Sequence, residues 1–161
     1  TEACHGVHQV RLSNRRKEEI MEAKGGGKMR VLINPPGTEK VYQRMQFSQA
    51  VRAGDTIWVS GQVGVDEKWK PGEGIEAQAR LAFQNLERVL AHAGASLSDV
   101  VELTTFHVNM SDLAGFSKVK AEFFPQDFPA WTAVGVTQLV LPAFLVEIRA
   151  VAIAGSALKY A

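Results

Sequence analysis

Residues 75–93 carry the pattern that most constrains the fold of this chain. Apolar residues recur there at intervals of three and four, which is the spacing of one face of an α-helix. They are Ile75, Ala79, Ala82, Phe83, Leu86, Leu90 and Ala93. Gly94 follows directly and is the residue type that most often ends a helix. Because the other face of this helix is polar, the helix has to pack on one side against another element.

The segments on either side of this helix have the composition of β-strands. They are rich in β-branched and aromatic residues and are separated by turn-forming residues. Strands are predicted at residues 44–51, 56–60, 100–110, 131–137 and 144–153, with turns at 52–55 and at Pro142. A second amphipathic helix is predicted after Ser111, which is expected to cap it. The element order is therefore ββαβαββ.

This order predicts an α+β fold in which two helices cover one face of a mixed, largely antiparallel sheet. Two helices leave the second face of the sheet uncovered, and apolar residues are expected there as well. The residues assigned to that face are Val59, Val101, Leu103, Val134 and Val136. A large exposed apolar surface is typical of an interface between subunits. We therefore expect the chain to self-associate.

The first forty residues differ in composition from the rest of the chain. Residues 1–40 carry more Lys and Arg than Asp and Glu, whereas residues 41–161 are mildly acidic. The run Gly25-Gly26-Gly27 lies within the first part and predicts a hinge. We interpret residues 1–40 as an appended basic leader and linker, and residues 41–161 as one folded domain.

The composition disfavours several classes of function. No apolar run approaches the roughly 18 residues of a membrane span, and no secretory signal is expected. A single cysteine excludes a disulfide network within the chain, so a cytoplasmic location is predicted. The mildly acidic body lacks the basic surface that binds nucleic acid. Cys4, His5 and His8 are too few for a closed zinc site, so neither a metal nor a cofactor is predicted.

Three further stretches of the sequence carry motifs that have to be considered together. They are Phe47-Ser48-Gln49-Ala50-Val51, Ser60-Gly61-Gln62, and the segment from Phe128 to Arg149 with its Pro-Ala-Trp and Val-Glu-Ile sequences. Together they resemble the Rid family of reactive intermediate deaminases, also called YjgF, over about residues 41–154. The resemblance implies a chorismate-mutase-like fold and a homotrimer with clefts for a small-molecule ligand between its subunits. On charge and composition, the chain is predicted to bind neither nucleic acid nor a membrane.

The resemblance also implies a site. Glu147, a charged residue in an apolar strand, is the predicted catalytic residue and would act as a general acid or base. The alternative is a salt bridge to Arg149, two residues further along the same strand. The predicted substrate-binding residues are Phe47, Ser60, Gly61, Gln62, Phe106, Trp131 and Thr132. For the aromatic members of this set, core packing is the alternative. His107 is expected to face solvent or an interface.

Trp131 is the main departure from the deaminating members of that family. The resemblance places it where those members have the arginine that holds the substrate carboxylate. An indole has one N–H, whereas a guanidinium offers a planar fork of donors. Phe47 likewise stands in place of a tyrosine, and Ala133 stands in place of a cysteine, which excludes a thiol mechanism. The chain is therefore interpreted as a member of an arginine-less subgroup.

Three functions stay open on the sequence. The first is an enzyme that hydrolyses or tautomerises an imine, an enamine or a related carbonyl compound, with Glu147 positioning water. The second is a non-catalytic trimer that binds a small molecule or has a regulatory role. The third and most remote is a ribonuclease or translation inhibitor, since some family members are described in that way.

Overall fold

The computed structural model of the protein describes residues 29–157, so residues 1–28, with Cys4, His5 and His8, lie outside the described residues. The elements are β1 (Arg30–Ile33), α1 (Glu39–Met45), β2 (Ala50–Ala53), β3 (Thr56–Val63), α2 (Gly74–His92), β4 (Val100–His107), α3 (Leu113–Phe123), β5 (Ala130–Gly135) and β6 (Val146–Ile153). Short 3₁₀ turns, Leu97–Asp99 and Met110–Asp112, precede β4 and α3. From β2 onwards the order is ββαβαββ, so the predicted order and the α+β class are confirmed.

The described strands form one mixed sheet in the order β1-β2-β3-β6-β4-β5. All neighbouring pairs are antiparallel except β4 and β5, which run parallel. The last strand of the chain, β6, therefore lies between β3 and β4 rather than beside β5. This insertion brings the start of β6 next to the end of β3, where the predicted site residues lie.

The helices α2 and α3 cover one face of this sheet. Phe83 of α2 is fully buried and stacks on Phe123 of α3 with ring centroids 4.9 Å apart. Burying a side chain of this size contributes about 1.5–3 kcal/mol. Gly94 ends the first of these helices in the left-handed conformation, at φ +77°. Asn109, rather than the predicted Ser111, caps the turn before α3, because its Oδ1 accepts a hydrogen bond from the Ser111 backbone N–H at 3.1 Å.

The elements β1 and α1 are not among those predicted from the sequence. The strand β1 pairs antiparallel with β2, with Arg30 opposite Ala53 and Ile33 opposite Ala50. The sheet therefore begins ahead of residue 40, inside the segment interpreted as leader and linker. Pairing with β2 satisfies backbone N–H and C=O groups along this edge, even though the side chains of β1 are largely exposed.

The helix α1 occupies the region in which the sequence predicts the start of a strand at residue 44. The turn at Pro35 and Pro36 and the Thr38-Glu39 pair are ordinary signals of a helix start. Gln46 ends α1 in the left-handed conformation, at φ 57°. No side chain of α1 is buried. This helix therefore forms a wall at the surface rather than a part of the core.

The face of the sheet opposite α2 and α3 keeps exposed apolar residues. Trp58 is 43% exposed and Ile153 is 39% exposed. Val59 and Leu103, which the sequence assigns to this face, are instead buried against the helices, so that part of the prediction is wrong. In β3, Val59 and Ile57 belong to the alternating set of side chains that point toward α2 and α3. Leu103 of β4 points toward the same helices.

Candidate functional site

A cavity of about 750 Å³ lies beside the end of β3 and the start of β6. Its walls come from residues 35–49, the end of β3, the loop that carries Asp66 and Trp69, one side of α2, and the loop between β5 and β6. Four of the predicted site residues line it: Phe47, Gly61, Gln62 and Glu147. The structure thus brings together residues that are up to a hundred positions apart in the sequence.

Glu147 is the ionisable group at the centre of this site. Burial raises the pKa of its carboxyl above the usual value of 4.5. The predicted alternative, a salt bridge to Arg149, is wrong, because Arg149 Nη1 lies 3.4 Å from Oε1 of Glu102. Among residues 29–157 no hydrogen bond or ion pair involves the Glu147 carboxylate. A half-buried, unpaired carboxylate in a cavity is able to exchange protons with a ligand.

Gly61 makes room for that carboxylate. The pairing of β3 with β6 is irregular between Val59 and Gln62, and Gly61 lies in this bulge. A Cβ atom built on Gly61 would overlap Oε1, Cδ and Cγ of Glu147. The absence of a side chain at this position is therefore what allows Glu147 to lie against the β3 backbone.

Ser60 and Gln62 hold the neighbouring loop in place. The Ser60 hydroxyl donates to the carbonyl of Ser48 at 2.7 Å, and its backbone N–H donates to the carbonyl of Gln49 at 2.9 Å. The Gln62 amide donates to Oε1 of Gln49 at 3.2 Å. These bonds fix residues 47–49, and Phe47 projects from this loop at the cavity. Ser60 itself does not line the cavity.

Phe106 and Thr132 lie outside the cavity lining. Phe106 is opposite Glu147 in the antiparallel register of β4 and β6. Thr132 is on β5, opposite Thr104, so β4 separates it from β6. Their predicted contacts with substrate stay predictions, since neither residue is part of the cavity lining.

Trp131 is anchored to the core within this chain. Its Nε1–H donates to Oγ1 of Thr105 at 2.9 Å, and its ring lies 6.0 Å from that of Phe116. Lys120 Nζ lies over the indole, 4.5 Å from its centroid. Trp131 does not line the cavity, so its predicted role in substrate binding also stays a prediction.

His107 is buried, and the expectation that it faces solvent or an interface is wrong. It lies on the same face of β4 as Leu103 and packs edge-on against Phe116 with ring centroids 4.8 Å apart. Its Nε2 is hydrogen-bonded to the Thr105 hydroxyl at 2.8 Å. Burial lowers the pKa of His107, and the nearby charge of Asp112 opposes this effect. The imidazole is therefore neutral at pH 7.

Much of the cavity wall comes from residues that are not among the predicted site residues. Trp69 is held at φ 63° in a tight turn whose Asp66 carboxylate accepts the backbone N–H groups of Lys68 and Lys70. Leu141 and Arg88 complete the wall from the loop before β6 and from α2. The available signal is the Asp-Glu-Lys-Trp-Lys-Pro-Gly composition of residues 66–72, which is typical of a structured turn.

Exchanging Gly61 for alanine should disturb Glu147 rather than the whole fold. The three atoms nearest to the new methyl group would all belong to the flexible side chain of Glu147, so we expect the carboxylate to move. Melting curves of wild type, Gly61→Ala, Glu147→Ala and the double variant measure the coupling. We expect the Gly61→Ala penalty to shrink by about 0.5–3 kcal/mol when Glu147 is truncated. Equal penalties in both backgrounds would contradict the close packing of these two residues.

Metal and membrane sites find no support in residues 29–157. This part of the chain has no group of three or more His, Cys, Asp or Glu residues that could hold a metal ion. None of its helices has the length and apolar character needed to cross a bilayer. The cytoplasmic location predicted above stays a prediction.

The chain is similar to known proteins over most of its length. Residues 38–154 match the family model described as Endoribonuclease L-PSP. RutC family protein YjgH of Escherichia coli (strain K12) is 39% identical over 125 residues, which cover 76% of this chain and 94% of YjgH. The Mus musculus protein named 2-iminobutanoate/2-iminopropanoate deaminase is 34% identical over 116 residues, covering 70% of this chain and 84% of that protein.

Solved structures agree with these matches. Protein YjgH has a TM-score of 0.70 at 39% identity and covers 77% of this chain and 95% of its own. Rv2704 from Mycobacterium tuberculosis, described as a member of the YjgF/YER057c/UK114 family, has a TM-score of 0.69 at 32% identity, covering 78% of this chain and 99% of its own. The resemblance seen in the sequence is thereby confirmed: the chain belongs to the Endoribonuclease L-PSP family, that of the Rid and YjgF proteins, some of which are named imine deaminases.

Proposed function

We propose that this protein is an enzyme that hydrolyses small imines, or the enamines that tautomerise to them, in the cavity around Glu147. The observation that carries the proposal is an unpaired carboxylate with a raised pKa inside a cavity of small-molecule size. The deaminase name of a relative supports the same reaction class. The ribonuclease alternative requires a basic surface, whereas Asp66, Glu67 and Glu147 line this cavity together with a single arginine.

The reaction needs one group that moves protons between water and nitrogen. Water adds to the carbon of a protonated imine, and the Glu147 carboxylate accepts a proton from that water as the C–O bond forms. The product of this step is a neutral carbinolamine. Protonated Glu147 then gives its proton to the amino nitrogen and the C–N bond breaks. The hydroxyl proton passes to the departing ammonia, so the products are a carbonyl compound and ammonium.

Turnover should fall in acid, because Glu147 accepts a proton only when it is ionised. The pH dependence of the rate constant kcat/KM reports the protonation state of the free enzyme. This rate constant should therefore decrease as pH drops through the raised pKa of Glu147. The measurement is a pH–rate profile on a small imine generated in the cuvette by an amine oxidase, with ammonia release as the readout. A rate that is unchanged or rises toward low pH would rule out Glu147 as the base.

The same assay tests the function itself. We expect the protein to accelerate ammonia release above the spontaneous hydrolysis seen in buffer. A boiled sample and an equal amount of serum albumin control for non-specific protein effects. Saturable ligand binding in the cavity without any acceleration, across imines of several sizes, would contradict the enzyme proposal and favour the non-catalytic binding protein.

We also propose that the protein is a homotrimer. Trp58 and Ile153 leave apolar surface on the sheet face that α2 and α3 do not cover, and such surface favours subunit contact. Light scattering at micromolar concentration should give about three times the 17.6 kDa mass of one chain. A monodisperse monomer would contradict the trimer.

A further inference from the structure

The charged side chains that line the cavity are mostly acidic. Asp66, Glu67 and Glu147 contribute carboxylates, whereas Arg88 is the one cationic residue among the lining residues that the structure describes. Arg88 uses part of its hydrogen-bonding capacity within the chain, because its Nη2 donates to the carbonyl of Pro36. Backbone hydrogen bonds from Glu39 and Gly37 lower the pKa of Glu39, and the charge of Arg88 adds to this effect. The charged side chains of the cavity lining therefore have a negative balance.

Two amide side chains of the cavity lining, Asn85 and Gln62, have their donors engaged within the chain. Asn85 uses both amide protons on the carbonyls of Val63 and Val65, at 3.1 and 3.0 Å. Gln62 uses both of its protons on Oε1 of Gln49 and the carbonyl of Ser60, at 3.2 and 2.9 Å. An anionic ligand group would thus find no free amide N–H groups on Gln62 or Asn85, and it would meet a lining with a negative balance of charge.

The mouth of the cavity is apolar and partly aromatic. Trp69 is 55% exposed and Leu141 is 51% exposed, and both line the cavity. Phe47 contributes a second aromatic ring to the same lining. Such a surface favours an apolar substituent on the ligand, and aromatic faces also attract cations.

Building on the hydrolytic function proposed above, we propose that the substrate is a protonated imine of an apolar amine that carries no carboxylate. The iminium charge is attracted by the Glu147 carboxylate, and the apolar substituent lies against Phe47, Trp69 and Leu141. A 2-imino acid brings a carboxylate into a cavity that repels it. Imines of the proposed class arise by two-electron oxidation of a primary amine, so an amine-oxidising reaction would supply this substrate.

Three unreactive probes that share a phenyl ring and a short carbon chain test this charge preference without any turnover. They are 2-phenylethylamine, 2-phenylethanol and phenylacetate, which carry a positive, a neutral and a negative group. Binding to the full chain at pH 7 is measured by the fluorescence of the tryptophans and checked by calorimetry. We expect the amine to bind most tightly, about tenfold or more better than phenylacetate, with a preference that shrinks as salt increases.

Two variants test whether Glu147 causes the preference for the amine over phenylacetate. Glu147→Gln should reduce the amine-to-phenylacetate ratio, whereas Glu87→Gln, on the exposed side of α2 and outside the cavity lining, should leave it unchanged. Phenylacetate that binds as well as the amine, or an amine that does not bind, overturns the inference. Selective amine binding without any imine turnover would instead support the ligand class and refute the hydrolase, so the two failures are distinguishable.

Discussion

Glu147→Gln should remove most of the catalysis and, at neutral pH, make the folded protein more stable. Glutamine keeps the shape of the side chain but cannot accept a proton from water, and losing a general base typically slows a reaction by about 10²–10⁴-fold. The same change removes a half-buried charge that has no hydrogen bond or ion pair among the described residues. Loss of activity together with a gain in stability is characteristic of a residue that serves function and lowers the stability of the fold.

The stability gain should depend on pH in a defined way. The folded state holds the Glu147 proton to higher pH than the unfolded state, whose pKa is near 4.5. Between these two pKa values the folded state binds more protons, so wild-type stability falls as pH rises through this window. Glutamine carries no proton to lose, and the advantage of Glu147→Gln should therefore be present above the window and vanish below it.

Urea melts and turnover assays of wild type, Glu147→Gln and Glu87→Gln between pH 4 and pH 8 measure both effects. Glu87 is an exposed carboxylate on α2, so its replacement should change neither quantity appreciably. Glu147→Gln with normal turnover would remove this residue from the mechanism. A variant less stable than wild type at pH 8 would show that the carboxylate has a stabilising partner in the assembled protein.

Gly64→Ala should destabilise the fold severely. Gly64 follows β3, and a Cβ atom there would overlap the Cα and the carbonyl of Gln78 in α2. These are backbone atoms of a packed helix, so the helix as a whole would have to move. Overpacking of this kind costs about 1–3 kcal/mol or more, and contact with rigid backbone favours the upper end of that range. A loss of 3 kcal/mol lowers the melting temperature by about 6–12 °C in a domain of this size.

Gly155→Ala is the matched control for that variant. Gly155 has φ +78° and nothing within 4 Å of a built Cβ, so alanine there costs only the left-handed backbone strain, about 1–2 kcal/mol. Thermal melts of both variants separate steric overlap from the general effect of replacing glycine. A Gly64→Ala protein that melts like wild type would show that α2 does not pack on the β3 end as described.

Local patterns in the sequence predict the elements well, but not which face of the sheet meets the helices. Val59 and Leu103 are correctly predicted to lie in strands, yet both alternating sets of side chains in such a strand are partly apolar, and period two alone does not say which set is buried. His107 is misassigned for a related reason. Its partners Thr105 and Phe116 come together only when α3 packs on β4, and a pattern of neighbouring residues does not reveal that contact.

The candidate site is predictable to the extent that family motifs mark it. Phe47, Gly61 and Glu147 do line one cavity, although β6 has to insert between β3 and β4 to bring them together. The walls from α1 and from the Trp69 turn carry no such motif. The helix α1 buries no side chain, so the periodic apolar signal that reveals α2 is missing there.

The hydrogen bond from Trp131 to Thr105 makes substitution at this position a matter of epistasis. Trp131→Arg removes the donor to Thr105, which also bonds His107, and places a new cation beside Lys120. We therefore expect arginine at this position to cost stability unless Thr105 and Lys120 are changed with it. Replacing Trp131 alone tests the tryptophan together with these two neighbours, so the effects of substitutions at the three positions should not be additive.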